Sequence, residues 1–310
     1  MTHEISQPRQ MTDSQRTEGP LQGTLLIAIS CLSVLGAVLL SPAQPQILDE
    51  FSHQSSATWL VPLVITTPAL MVGLLAFGAR RIVDAVGRIR LMKISLLMYA
   101  LFGTAPLYLD SLVSIVASRV GVGIAEAAIM TCATTLIADY FEGRTRARYL
   151  GLQVVFSSLS AVVFIGLGGA LAQSSWRTPF WLYASGIVFA GSVAVLLWQP
   201  SAPTEDQTHP TLQPVQWRPL LAPLTVTLFG GIVFYIPIVE IPYALSNVGV
   251  SGSGAIGAVS ALAALGTALG AISFGKLGTF GPKRLRRAHS LPQAQASSRS
   301  GSHRTPRWWS

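Results

Sequence analysis

The sequence predicts an all-α, polytopic membrane protein of about eight transmembrane helices. Three observations carry this prediction. Half of the 310 residues are apolar and only 11% are charged, where a soluble domain carries about 25%, so there is little water-facing surface to cover. The apolar residues fall into runs of the roughly 20 residues that a bilayer requires. The basic residues collect in short clusters after every second run. Mean hydropathy is +0.51.

The runs lie at about residues 21–41, 58–78, 91–109, 111–139, 150–172, 178–198, 220–243 and 252–275. Polar or helix-breaking residues separate each from the next. The segment 1–20 is polar and rich in Gln, Thr and Ser, and it reads as a cytoplasmic disordered tail. Its Glu4, Asp13 and Glu18, and the length of the run after it, argue against a cleaved signal peptide. Residues 199–219 are Pro-rich and read as a cytoplasmic linker. They divide a six-helix N-terminal bundle, 21–198, from a partial C-terminal bundle of two helices and a basic loop, 220–287. Residues 288–310 have no apolar run and read as a disordered tail.

Loop charge sets the expected orientation. Arg80, Arg81, Arg88, Arg90 and Lys93 follow the second run, and Arg144, Arg146 and Arg148 follow the fourth. Arg218 precedes the seventh, and Lys276, Lys283, Arg284, Arg286 and Arg287 follow the eighth. The alternate loops hold almost no Lys or Arg, so the N-terminus is expected on the cytoplasmic side. The net charge of +8 therefore points to the lipid bilayer as partner. Nucleic-acid binding would need a basic face interleaved with reading residues, and the clusters form none.

Ionisable residues inside a span are costly, by about 3 kcal/mol on insertion scales, and mark functional sites or interhelical pairs. Arg119 and Glu126 both fall in the fourth run. Seven residues are about two turns, so both lie on one face, about 10 Å apart along the axis. They are the first candidates for a solute or proton site, with interhelical pairing as the structural alternative. Glu240 lies between Pro237 and Pro242 in the seventh run and is a third candidate, either lining a vestibule or solvated at the membrane edge. Asp139 and Glu142 end the fourth run beside Arg144, Arg146 and Arg148 and read as interfacial anchors. Cys31 and Cys132 sit in apolar runs as small core residues. No metal-ligand spacing occurs, and no cofactor is expected. No phosphate-binding loop, nucleophile elbow or zinc-protease helix is present, so nothing supports an enzyme.

Several stretches resemble the major facilitator superfamily. The residues Arg80-Arg-Ile-Val-Asp-Ala-Val-Gly-Arg-Ile89 are similar to that family's G-x-L-a-D-r-x-G-r-r loop. Asp84, Gly87 and Arg88 fall on its aspartate, second glycine and first closing arginine. Arg80 stands for the opening glycine and Ala85 for an arginine. The resemblance implies that Asp84 and Arg88 belong to a charge-relay latch that gates the cytoplasmic side. In the fourth run Ile115, Arg119, Gly123 and Ala125 fit the pattern l-x-x-x-R-x-x-q-G-x-g, with Val122 for the glutamine, and the resemblance links Arg119 to proton coupling. Ser175-Trp-Arg-Thr-Pro-Phe180 resembles the G-W-R-x-x-F entry to the sixth span. Gly275–Arg284 is a weaker repeat of the loop motif, with Thr279 for its aspartate. Of the antiporter motif in the fifth span only Gly151, Gly168 and Gly169 fit, with Ser160, Phe164 and Ile165 at its inner positions.

The resemblance implies a helical bundle that carries a small solute, with protons as the coupling partner, across the plasma (inner) membrane by rocking two half-bundles about a midplane site. The family has about twelve spans in two six-span halves. Eight spans then read as six plus two, an incomplete transporter working in efflux or uptake, with an inactive fragment as the other outcome. The alternative is a non-transporting membrane scaffold or sensor built on the six-helix bundle.

Overall fold

The computed structural model describes residues 19–76, 78–199, 217–250 and 252–278. The expected N-terminal tail, nearly all of the linker, the basic residues beyond Lys276 and the C-terminal tail lie outside the described residues. Every regular element among those described is helical: α1 (Pro20–Val38), α2 (Gln44–Glu50), α3 (Ala57–Leu75), α4 (Ala79–Val86), α5 (Arg88–Thr104), α6 (Leu112–Tyr140), α7 (Gly143–Leu171), α8 (Ser185–Leu196), α9 (Trp217–Asn247) and α10 (Ser253–Gly278). The all-α polytopic fold expected from the sequence is the one observed.

The expected runs map onto these helices with local departures. The first run ends at Val38, turns through a 3₁₀ segment at Ser41–Ala43 and continues as α2, because Pro42 and Pro45 cannot continue an α-helical ladder. The sixth opens as a 3₁₀ segment, Thr178–Ala184, before α8. The basic loop after the second run contains a short helix, α4. Among the described residues, six segments are long and apolar enough to cross a membrane: Pro20–Glu50, Ala57–Leu75, Leu112–Tyr140, Gly143–Leu171, Thr178–Leu196 and Leu224–Asn247. Two further expected spans are marginal on the same measure. α5 has 17 residues and opens on Arg88, Arg90 and Lys93, and the apolar part of α10 described is Ser253–Gly266.

Large apolar side chains lie on the outside of the spans. Trp59 is 80% exposed, Val195 79% and Val226 72%. Such a surface is untenable in water and ordinary against lipid, where the helical backbone satisfies its own polar groups. Two compact units are distinguished, Met1–Leu262 and Ala263–Ser310. The second is described here only through the remainder of α10.

In the first unit α6 is the central helix. It packs against α1, α3 and α5, while α1 also packs on α7 and α5 on α8. Leu112, Ile115, Ile129, Leu136 and Ile137 of α6 are fully buried. Lipid offers no hydrophobic drive between helices, so close backbone approach and interhelical hydrogen bonds hold the bundle together. A Cβ on Gly123 would stand 2.7 Å from the Pro68 carbonyl oxygen of α3. One on Gly168 of α7 would overlap the Leu39 carbonyl oxygen. Buried Gln153 of α7 donates to Ser30 Oγ of α1 at 2.8 Å and to Thr134 Oγ1 of α6 at 3.2 Å, tying three helices at one polar point.

The ends of the bundle are fixed differently. At the end carrying the basic loops, Tyr140 donates its hydroxyl to the Trp198 carbonyl at 2.5 Å, and its ring lies tilted beside the Trp198 ring, 5.2 Å between centres. At the far end, Arg177 of the Ser175–Phe180 motif donates from Nη1 to the carbonyls of Pro106 at 2.7 Å and Leu109 at 2.8 Å. Its Nη2 meets Asp110 at 3.1 Å. The Arg177 guanidinium also lies 4.4 Å from the centre of the Trp176 ring. That motif locks the α5–α6 turn.

Gly168→Leu is expected to lower stability by about 1–3 kcal/mol, because the Leu39 carbonyl it meets is backbone and cannot swing aside. Gly151→Ala, whose Cβ meets nothing within 4 Å, is expected to be neutral or stabilising by up to about 1 kcal/mol. Thermal unfolding in detergent separates the two.

Candidate functional site

α5 ends near residue 104 because Pro106 lacks an amide proton. Phe102, four residues earlier, therefore has a carbonyl with no helical donor. Arg119 of α6 supplies one: its Nη2 donates to the Phe102 carbonyl at 3.1 Å and to that of Gly103 at 3.2 Å. The guanidinium carbon lies 5.0 Å from the centre of the Phe180 ring and 4.9 Å from that of Tyr183. Facing an aromatic π-cloud, a desolvated cation gains about 2 kcal/mol. Arg119 is 0% exposed. Carbonyl dipoles hold its Nη2 and two rings face the guanidinium, while Nε and Nη1 have no hydrogen-bond partner among the described residues.

Two turns along α6, Glu126 is 1% exposed. Its carboxyl packs against Gly36 of α1, where a Cβ would overlap Oε1. Only a glycine at position 36 leaves room for that carboxyl. Oε1 has no hydrogen-bond partner among the described residues. The Tyr99 hydroxyl of α5 donates to the Leu32 carbonyl of α1 at 3.0 Å, and the Tyr99 and Tyr183 rings lie 4.9 Å apart. Arg119, Tyr99, Tyr183 and, from α9, Tyr235 all lie within electrostatic reach of Glu126. The structure thus draws Arg119 and Glu126 into one buried polar cluster with Tyr99 of α5 and Tyr183 of the 3₁₀ segment before α8. The tyrosines went unremarked in the sequence because they sit inside apolar runs, and the signal that could have found the Arg119 contact is Pro106, which strips Phe102 of its helical partner.

Glu240 is placed elsewhere. It is exposed on α9 and lies near Tyr243 of the same helix. The described contacts do not join it to Arg119 or Glu126.

The loop candidates occupy the basic end. Gly87 closes α4 and opens α5 with φ 86° and ψ 139°, a left-handed backbone that glycine adopts without the strain of a side chain. That geometry explains why the motif needs a glycine there. Arg88, next in sequence, pairs through Nε with Asp139 Oδ2 at 2.9 Å, both side chains being about a quarter exposed. The Ile89 amide donates to Gln199 Oε1 at 3.3 Å, so the start of α5 is tied to the end of the sixth span as well. Asp84 lies on α4, and its side chain is outside the described part of the structure. Asp139 was expected to anchor at the interface beside Arg144, Arg146 and Arg148. Those three arginines are exposed, and the described ion pair of Asp139 is with Arg88.

The comparisons with known proteins agree with this architecture. The family model for the Major Facilitator Superfamily matches residues 26–291. The chain is 29% identical over 189 residues to Multidrug resistance protein 1 of Bacillus subtilis (strain 168), covering 59% of this chain and 47% of the relative. It is 29% identical over 222 residues to the 3-(3-hydroxy-phenyl)propionate transporter of Escherichia coli (strain K12), covering 67% and 51%. It is 26% identical over 156 residues to Tetracycline resistance protein, class H, of Pasteurella multocida, covering 50% and 39%. The chain spans about half the length of such relatives, or less. Among solved structures it is similar to a bacterial homolog of the human lysosomal transporter Spinster in an inward-facing, occupied conformation. The TM-score is 0.71 at 22% identity, covering 84% of this chain and 62% of that one, which speaks for the fold. With that family model matched over most of its length, the chain, an integral multi-pass membrane protein, belongs to the Major Facilitator Superfamily.

Proposed function

We propose that the chain carries a small organic solute across the inner membrane by proton-coupled secondary transport, with Glu126 as the proton-binding group. The observation that carries this reading is the environment of Glu126. An acid in mid-span, 1% exposed, with one carboxyl oxygen lacking a partner among the described residues, is costly to hold as a permanent ion. A group that gains a proton when enclosed and releases it when its cavity meets water turns that cost into coupling.

Arg119 has a positioning role in this scheme. Two carbonyl bonds from Nη2 and two facing rings position it, so it provides a positive charge beside Glu126. Arg119 Nε and Nη1, which have no partner among the described residues, and Tyr235 of α9, which lies within electrostatic reach of Glu126, are the candidate solute contacts. Glu240, exposed near the far end, is a vestibule residue. Relatives named for multidrug resistance, tetracycline resistance and hydroxyphenylpropionate transport support an organic solute.

At the basic end, read as cytoplasmic with the N-terminus on that side, Asp84, Gly87 and Arg88 form the gating loop. Gly87 sets the bend, and Arg88 binds the end of α6 through Asp139. The helix that bears Glu126 is thereby connected mechanically to the latch.

Glu126→Gln is expected to reduce solute flux driven by a pH gradient to the level of protein-free vesicles, while solute exchange without a gradient persists. The measurement is uptake into proteoliposomes, with the chain alone and with the chain fused to the second half of a relative. Full gradient-driven flux in the Gln variant would sink the proton assignment. No flux in either arm across a panel of organic solutes would favour the scaffold reading.

Arg88→Asp and Asp139→Arg are each expected to slow flux severalfold, and the two together to restore most of it. The pair is partly exposed, so each single change should alter stability by no more than about 1 kcal/mol. Flux and thermal unfolding measured on the same four proteins separate gating from folding.

A further inference from the structure

We propose that Ser41 and Gln44 form a polar clasp on the Ile238 carbonyl that holds the far end of the chain closed, and that Pro242 creates the clasp by freeing that carbonyl. In an α-helix the amide of residue 242 would bond the carbonyl of residue 238. Proline has no amide proton, so within α9 the Ile238 oxygen is left without its helical donor. The Ser41 hydroxyl donates to it at 2.5 Å, and Gln44 Nε2 at 3.2 Å. Gln44 Nε2 also lies 3.4 Å from the Val239 carbonyl oxygen. Both donors are 0% exposed.

The donors come from the break between α1 and α2. Pro42 and Pro45 enforce that break, and Gln44 Nε2 also donates to the Ser41 carbonyl at 3.3 Å. The two donors are therefore set before α9 docks against them. Other ties lie at the same end. Gln46 Nε2 donates to Ser253 Oγ at 3.4 Å. Gly169 of α7 and Gly257 of α10 approach so closely that a Cβ on Gly169 would stand 2.7 Å from the Gly257 Cα.

The chemistry suits a reversible latch rather than a static tie. While the end is closed and dry, an unbonded carbonyl is expensive, so the clasp is worth forming. When the end opens, water takes the place of Ser41 and Gln44 at little cost. A carbonyl with its own helical N–H would have no such need in either state. The inference rests on the transport reading only in assigning the clasp to one stage of a transport cycle; the closure itself is a structural claim.

The test is a distance measurement on the whole chain in proteoliposomes. Cys31 and Cys132 are replaced by Ala, and spin labels are placed through Glu50→Cys and Val248→Cys, both exposed positions. Pulsed electron–electron resonance then reports the populations of closed and open far ends. Gln44→Leu and Ser41→Ala are each expected to raise the longer-distance population about threefold, the size of effect one interhelical hydrogen bond has in a membrane. Ser41→Thr keeps the hydroxyl and should match the parent. Pro242→Ala returns a helical donor to the carbonyl and should raise the longer-distance population by itself, even if the other variants fold poorly. Distance distributions for Gln44→Leu and Pro242→Ala that superimpose on the parent would overturn the clasp. Solute flux on the same samples keeps the two claims apart: shifted distances without flux in any variant support the clasp and count against transport, and normal flux with unshifted distances does the reverse.

Discussion

Inside a bilayer every backbone carbonyl needs a donor, and each proline in a spanning helix removes one. Much of the specific polar chemistry in this chain follows from that constraint. Pro106 ends α5 and leaves the Phe102 carbonyl open, and Arg119 fills it. The carbonyl of Pro106 itself receives Arg177. Pro242 opens the Ile238 carbonyl, and Ser41 and Gln44 fill that. At Pro106 and Pro242 the freed carbonyl is met by a side chain from another helix, and each bond joins separate elements of the chain.

The same constraint shapes the buried cluster on α6. A guanidinium with no exposure is tolerable there because freed carbonyls and two aromatic rings already offer it partial negative charge. Once Arg119 is fixed, its field reaches Glu126 in a dry interior, where charges act over longer distances than in water. Gly36 completes the arrangement by removing a side chain from the surface that Glu126 occupies. Packing and electrostatics are inseparable at this point. The helices approach closely because their contact residues are small, and the close approach is what encloses the acid.

The far and basic ends of α5 and α6 are held by different means. Arg177 draws the α5–α6 turn together with two carbonyl bonds and an ion pair. The other end has the Arg88–Asp139 pair, the Gln199 bond and the hydrogen bond from Tyr140 to the Trp198 carbonyl.

Much of the fold was legible in the sequence. The run read at residues 111–139 is α6 at Leu112–Tyr140, and the run at 178–198 closes with α8 at Leu196. Span positions are readable because the thickness of the hydrocarbon layer converts directly into a length of apolar residues. Arg119 and Glu126 stood out for a related reason: a charge inside such a run is too costly to be incidental. The positive φ at Gly87 was implicit in the loop motif. The partners were not legible. Asp139 has arginines five, seven and nine residues away in sequence, yet its described ion pair is with Arg88, fifty-one residues away, because helix packing, not sequence proximity, sets which ends meet. Tyr99 and Tyr183 looked like ordinary members of apolar runs until the crossing of α5 and the sixth span set their rings together. The short helix α4 was hidden by its cluster of arginines. The sequence by itself determined where the apolar segments lie and which charges they carry, since both follow from local transfer energies. Only the tertiary structure decided which donor reaches which freed carbonyl, since that depends on the packing of helices remote from one another along the chain.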